Sequence, residues 1–144
     1  MRLAHEPSTD PAAYSFVHRV RVRFAETDAM GIVHHAAYLP YCEEARVAYL
    51  DAIGHPYSSV RAEGVDFAVL EAYLRYIAPL RFDDRVDVHL AIASTTRATF
   101  QLAYLLTVDG VPRSTGVTVH GCVGHGGRPV RMPAWLGELA VGAG

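Results

Sequence analysis

Between residues 23 and 39 the chain sets Asp28, Gly31, His34 and His35 directly ahead of a segment with helical periodicity. The first turn of a helix carries backbone N–H groups without internal partners, and the aligned peptide dipoles favour negative charge there. Such a terminus holds an anion, or polarises a carbonyl whose oxygen becomes an oxyanion during acyl transfer. Asp28 stands seven residues before His35, and Gly31 lets the intervening chain bend through angles that other residues avoid. A carboxylate beside an oxyanion site is two thirds of a hydrolase. The same aspartate also suits a plain strand-to-helix turn, and spacing alone leaves the two readings level.

Periodicity outlines the elements that must position these groups. From Phe16 to Phe24 the residues alternate, with Phe16, His18, Val20, Val22 and Phe24 on one face and Arg19, Arg21 and Arg23 on the other. The arginines could form a phosphate-binding patch, but a solvated strand face is the commoner meaning of such a row. Tyr38, Cys42, Ala45, Tyr49 and Ile53 recur at helical spacing and predict one long amphipathic helix. A short first turn is expected at His35 to Leu39, with Pro40 opening or bending the main helix and Gly54 ending it. Tyr57 to Glu63 suits a second, short helix.

Alternation then predicts four strands: Val65 to Ile77, a stretch through Val86 and Ile92, Thr99 to Val108, and one marked by Val117, Val119, Gly121 and Val123. In the first of these, Ala68, Leu70, Ala72, Leu74 and Tyr76 oppose Phe67, Val69, Glu71, Tyr73 and Arg75. Asp109-Gly110 is a hairpin signal, and a short helical turn is expected through Ala140. The order predicts an α+β fold in which a five-stranded antiparallel sheet wraps around one long helix and buries both apolar faces. Such a sheet leaves an open edge, so a dimer is the least expected assembly and a homotetramer is compatible with it.

Length and composition narrow the field further. The 144 residues suit a 1–15 flexible N-terminal arm followed by one domain over 16–144. A formal charge of -2 and a pI of about 6.4 argue against a partner recognised through nucleic-acid phosphates. No stretch suits a membrane span or a signal peptide, and two cysteines make no disulfide framework, so a cytoplasmic setting is expected, with a single Cys42–Cys122 bridge left open. His34, His35, His120, His125, Cys42 and Cys122 lack the paired spacing of a metal motif, and no metal is expected.

The run from Val22 to Leu39, Glu43-Glu44-Ala45-Arg46, and the stretch Tyr76-Ile77-Ala78-Pro79-Leu80-Arg81-Phe82-Asp83-Asp84 resemble the 4-hydroxybenzoyl-CoA thioesterase family of hotdog-fold enzymes. The nearest likeness is to its bacterial short-chain acyl-CoA thioesterases, including Tol-Pal-associated ones, from about residue 16 to 125. The resemblance implies a hotdog domain with Asp28 as nucleophile or general base and Gly31 as the loop glycine. It places His35 at the helix start, where a backbone N–H meets the thioester carbonyl and the side chain assists in some members. The family often carries a tyrosine four residues before the acid; here that residue is Phe24. The resemblance also implies an acyl pocket between subunits, with Phe24, Tyr38, Tyr41 and Phe67 as its lining. Arg97 is the best match for a coenzyme A phosphate contact, ahead of Arg128 and Arg131, and an ordinary exposed turn arginine is the equal alternative. Glu43 and Arg46 suit an i, i+3 ion pair better than catalysis.

The implied substrate is a short-chain or aromatic acyl thioester of coenzyme A or of an acyl-carrier protein, with no cofactor beyond the coenzyme A of the substrate. An aspartate is ordinarily ionised at neutral pH, so direct attack to a mixed anhydride and activation of a water both stay open. Two rivals stand beside this reading, a non-catalytic acyl-CoA or acyl-carrier binder and an enoyl-thioester hydratase. The latter uses an acid and a histidine at shorter spacing, which this chain lacks.

Overall fold

The computed structural model describes residues 6–142. Five strands, β1 (Phe16–Arg21), β2 (Asp66–Tyr76), β3 (Arg85–Thr95), β4 (Thr99–Val108) and β5 (Val111–Val123), form one antiparallel sheet in the order β1-β3-β4-β5-β2. The long helix α1 (Tyr38–Ala52) lies in the concave face, with α2 (Tyr57–Ala62) and α3 (Ala134–Gly142) beside it. This is the hotdog arrangement. Residues Met1–His5 of the expected N-terminal arm lie outside the described residues. From Glu6 to Tyr14 the chain runs over the outer face of β3, β4 and β5, where Tyr14 approaches His89 at 6.2 Å.

The core follows from two periods meeting. Val86, Val88, Leu90 and Ile92 of β3 and Phe100, Leu102, Tyr104 and Leu106 of β4 turn inward against the α1 stripe of Tyr38, Tyr41, Cys42, Ala45 and Tyr49. Pro40 is the third residue of α1, where the N–H it lacks would have had no intrahelical partner. At the other end Gly54 adopts a φ of 84°, and the His55 N–H returns to the Leu50 carbonyl at 2.9 Å, closing the helix. Asp109 and Gly110 both take positive φ in the β4–β5 hairpin, as that turn requires.

Two features depart from simple alternation. β1 ends at Arg21, and Phe24 begins a 3-10 turn, Phe24–Glu26, so it leaves the strand face on which alternation set it. In β2 the pairing passes from Val69↔His120 to Glu71↔Val119, leaving Leu70 as an inserted bulge residue. The bulge exchanges the faces. Phe67 and Val69 therefore share the inner side with Ala72, Leu74 and Tyr76, which the alternating pattern sets opposite them.

The sheet edges differ in character. β1 is flanked by ion pairs, Arg19 to Asp87 at 2.8 Å and Arg21 to Asp83 at 2.7 Å, while Arg23 binds Glu26 at 3.0 Å. Each arginine of that row thus has a carboxylate partner. β2 instead pairs only with β5 among the described strands and leaves Val69, Leu70 and Tyr76 exposed.

Candidate active site

After β1 the chain is pinned before it turns. Val22 exchanges backbone bonds with Asp83 and Asp84, and Thr27 bridges Val33. Between them the Asp28 N–H donates to the Ile32 carbonyl at 2.8 Å, and Gly31, at φ 78°, returns its N–H to the Asp28 carbonyl at 3.0 Å. Asp28 Oδ1 accepts the Met30 N–H at 2.8 Å, an Asx turn. The turn role of this aspartate is therefore real, and it occupies one carboxylate oxygen. Oδ2 accepts no hydrogen bond from the described residues.

The helix start is built by two histidines. His34 is extended, and its Nδ1 accepts the Ala36 N–H at 3.0 Å, capping the 3-10 turn His35–Ala37 that runs into α1. The rings of His34 and His35 stack 4.2 Å apart. Among the described residues the His35 N–H meets no acceptor, so one orphan donor of the helix terminus stays available. Asp28, Met30, His35, Tyr38 and Tyr76 line a single cleft of about 370 Å³. Tyr76 ties the end of β2 to this point, donating to the His35 carbonyl at 3.3 Å and standing edge-on to Tyr38 at 4.9 Å.

Glu26 and Tyr41, which spacing alone did not single out as a pair, hold the loop against the helix. The Tyr41 hydroxyl donates to Glu26 Oε1 at 2.8 Å, and the Arg23 N–H reaches the same oxygen at 2.8 Å. Burial works to raise the Glu26 carboxyl, yet the bonds from Arg23 and Tyr41 outweigh it and hold the group below the usual carboxylate range. Burial, with Glu26 beside it, pushes the Tyr41 phenol up. The Arg23-to-Glu26 spacing was the one signal of this clamp in the sequence.

The other residues singled out lie elsewhere. Phe24 is 74% exposed and packs only its edge on Phe82 at 5.6 Å. Phe67 belongs to a second cavity of about 360 Å³, shared with Arg46, Val47, Tyr57 and Val69. Arg97 and Arg131 border a shallow third depression with Pro129. Asp28 sits by the Tyr76 end of β2, Phe67 and Arg97 by the Asp66 end. At about 3.3 Å per residue these ends are roughly 30 Å apart. One chain brings Asp28, Gly31, His35 and Tyr38 together and leaves Phe67 and Arg97 distant. Cys42 and Cys122 are free and buried, and no three of the described His, Cys, Asp or Glu side chains converge as a metal set.

A five-stranded antiparallel sheet curled around one long helix defines a hotdog-fold protein. Residues 22–139 match the Thioesterase-like superfamily. The chain belongs to that superfamily and is a thioester hydrolase. A protein of Aquifex aeolicus known from its crystal structure superposes with a TM-score of 0.83 at 39% identity, over 88% of this chain and 99% of that one. The 1,4-dihydroxy-2-naphthoyl-CoA hydrolase of Synechococcus elongatus is 30% identical over 122 residues, 80% of this chain and 90% of its own. The acyl-CoA thioester hydrolase YbgC of Escherichia coli O6:H1 is 37% identical over 75 residues, 52% of this chain and 56% of its own.

Proposed function

We propose that this chain hydrolyses short-chain or aromatic acyl-CoA thioesters, as a member of the 4-hydroxybenzoyl-CoA thioesterase group that includes the Tol-Pal-associated enzymes. The observation that carries the reading is the pair of unused groups in one cleft, Asp28 Oδ2 and the His35 N–H. The N–H takes the carbonyl oxygen of the thioester and strengthens its hold as that oxygen becomes an oxyanion. Asp28 either attacks the carbonyl carbon, expelling the thiolate and leaving a mixed anhydride for water to open, or takes a proton from a water that attacks instead. Neither route needs a cofactor or metal, since coenzyme A is part of the substrate. Phe24 offers no hydroxyl, so the acid is oriented by the Met30 N–H and the Gly31 turn. The free buried cysteines suit a reducing cytoplasm.

The split of binding residues along β2 supports a composite site between two copies. Antiparallel pairing of two β2 edges about a two-fold axis sets the Tyr76 end of one strand beside the Phe67 end of the other. Asp28, His35 and Tyr38 of one protomer would then face the apolar cavity around Phe67 and the Arg97 and Arg131 guanidiniums of the second copy. An arginine fork there suits the phosphates of coenzyme A, and the exposed apolar side chains of β2 would be covered. Two such dimers give the tetramer.

Thioester cleavage followed with a thiol reagent across aliphatic and aromatic acyl-CoAs, and their carrier-protein-linked counterparts, tests the whole reading. Release of thiol by the wild type and its loss in Asp28→Asn, at unchanged circular dichroism, is the expected result. Retention of most activity by that variant removes Asp28 from the mechanism. A hydratase would convert enoyl thioesters without releasing thiol, and a binding protein would turn over nothing.

A further inference from the structure

The cavity around Phe67 is mostly apolar, with Tyr49, Leu50, Tyr57, Phe100 and Leu102 among its walls, and its charged lining residues are Arg46 and, from the same helix, Glu43. Arg46 comes from the buried flank of α1, its side chain only 16% exposed. A charge so placed is costly unless it is well paired. Its sole carboxylate partner among the described residues is Glu43, 3.8 Å away and 71% exposed, a long contact at the rim.

Beneath Arg46 the structure offers hydrogen bonding but no charge. A guanidinium can only donate, so the Tyr104 hydroxyl accepts from Arg46 Nη1 at 3.2 Å, and it shares a further hydrogen bond with Thr118 Oγ1 at 2.7 Å. Thr118 Oγ1 in turn shares a hydrogen bond with His120 Nε2 at 2.7 Å, and His120 Nδ1 is buried without a partner among the described residues. Burial pushes the Tyr104 phenol and the Cys42 thiol up to about 12 and the His120 imidazole down to about 3, so all three are neutral at physiological pH. Arg46 uses one of its five N–H donors on Tyr104. No other hydrogen bond from this side chain is made to the described residues.

We propose that Arg46 makes this cavity selective for acyl groups that end in a carboxylate, the oxygens of which take two parallel N–H bonds from the guanidinium while the aromatic and aliphatic walls cover the chain. This rests on the thioesterase reading above and names its substrate class. The pairing supplies the anion that neither Glu43 nor the Tyr104–Thr118–His120 chain provides. Tyr104 is a positioning residue in this scheme, holding the guanidinium toward the cavity.

The test compares thioesters of equal length, pentanoyl-CoA and glutaryl-CoA, which differ only in a terminal methyl or carboxylate. The wild type is expected to favour the carboxylated substrate by at least tenfold in kcat/KM. R46M is expected to reverse that preference, R46K to keep part of it, and Y104F to weaken it with the preference for the carboxylate still measurable. Equal handling of both substrates by the wild type, or an equal loss on both in R46M, overturns the proposal and leaves the thioesterase reading intact. If neither substrate is cleaved, the thioesterase reading is tested on aromatic acyl-CoAs instead. Calorimetric binding of unreactive thioether analogues of the same pair, to wild type and R46M, then decides on Arg46, with a preference for the carboxylate lost in R46M supporting it and equal affinities refuting it.

Discussion

At the mouth of the cleft, substitution can separate the backbone N–H of His35, the donor in the proposed mechanism, from its imidazole. His34 is already extended at φ -62°, ψ 139°, and the first position of a helical turn tolerates proline, so His35→Pro deletes the N–H with little disturbance of the chain. Turnover is expected to fall on the order of a hundredfold or more in that variant, with the melting temperature almost unmoved, whereas His35→Ala should cost much less. Comparable kcat values for the two would show that the imidazole is the working group. His120 yields a second prediction. Its folded value near 3, against 6.5 for a free imidazole, means the unfolded chain binds an extra proton between those limits. The stability it contributes is complete above pH 6.5 and drains as the pH falls toward 3, by up to roughly 5 kcal/mol at about 1.4 kcal/mol per unit. Urea titrations across that window should show the slope, and His120→Gln should flatten it. The closeness of Asp28, Gly31 and His35 was legible from spacing because all three lie in one local loop. The buried state of His120 was not, because β5 alternates polar residues inward and valines outward, and only the partner strands reveal which side is the core.

At the scale of elements, the Glu26–Tyr41 bond ties the loop that carries Asp28 to α1. Tyr41→Phe leaves a mostly buried carboxylate short of one donor, and a hydrogen bond to a charged group is worth about 2 kcal/mol. Chemical denaturation should register that loss, with a drop in kcat larger than any change in KM, because the loop rather than the acyl pocket is released. An unchanged kcat would mean that the Gly31 turn orders Asp28 unaided. The helix itself was readable with its Pro40 opening and Gly54 stop, since both act through local backbone geometry. The bulge at Leu70 was not readable. An inserted residue has no local mark in an alternating run, and it put Phe67 and Val69 on the same face as Ala72, Leu74 and Tyr76, which alternation sets opposite them.

For the molecule as a whole, the proposed composite site makes activity depend on assembly through β2, which among the described strands pairs only with β5. Charges placed there by the double variant L70E/Y73E should yield a monomer in analytical ultracentrifugation, with thioester turnover down at least a hundredfold although the Asp28 cleft is untouched. A monomer with full activity would confine the site to one chain. Strand and helix order, the hairpin at Asp109-Gly110 and the acid-to-helix spacing were determined by the sequence alone, because period and turn chemistry depend on near neighbours. The tertiary structure decided which of these groups meet. It set Tyr76 over His35, carried Phe67 and Arg97 to the far end of the same strand, and slid Arg46 beneath the helix into an apolar chamber. Those outcomes depend on strand register, one bulge and the curl of the sheet, which arise from contacts between residues far apart in the chain and leave no trace in any short window of it.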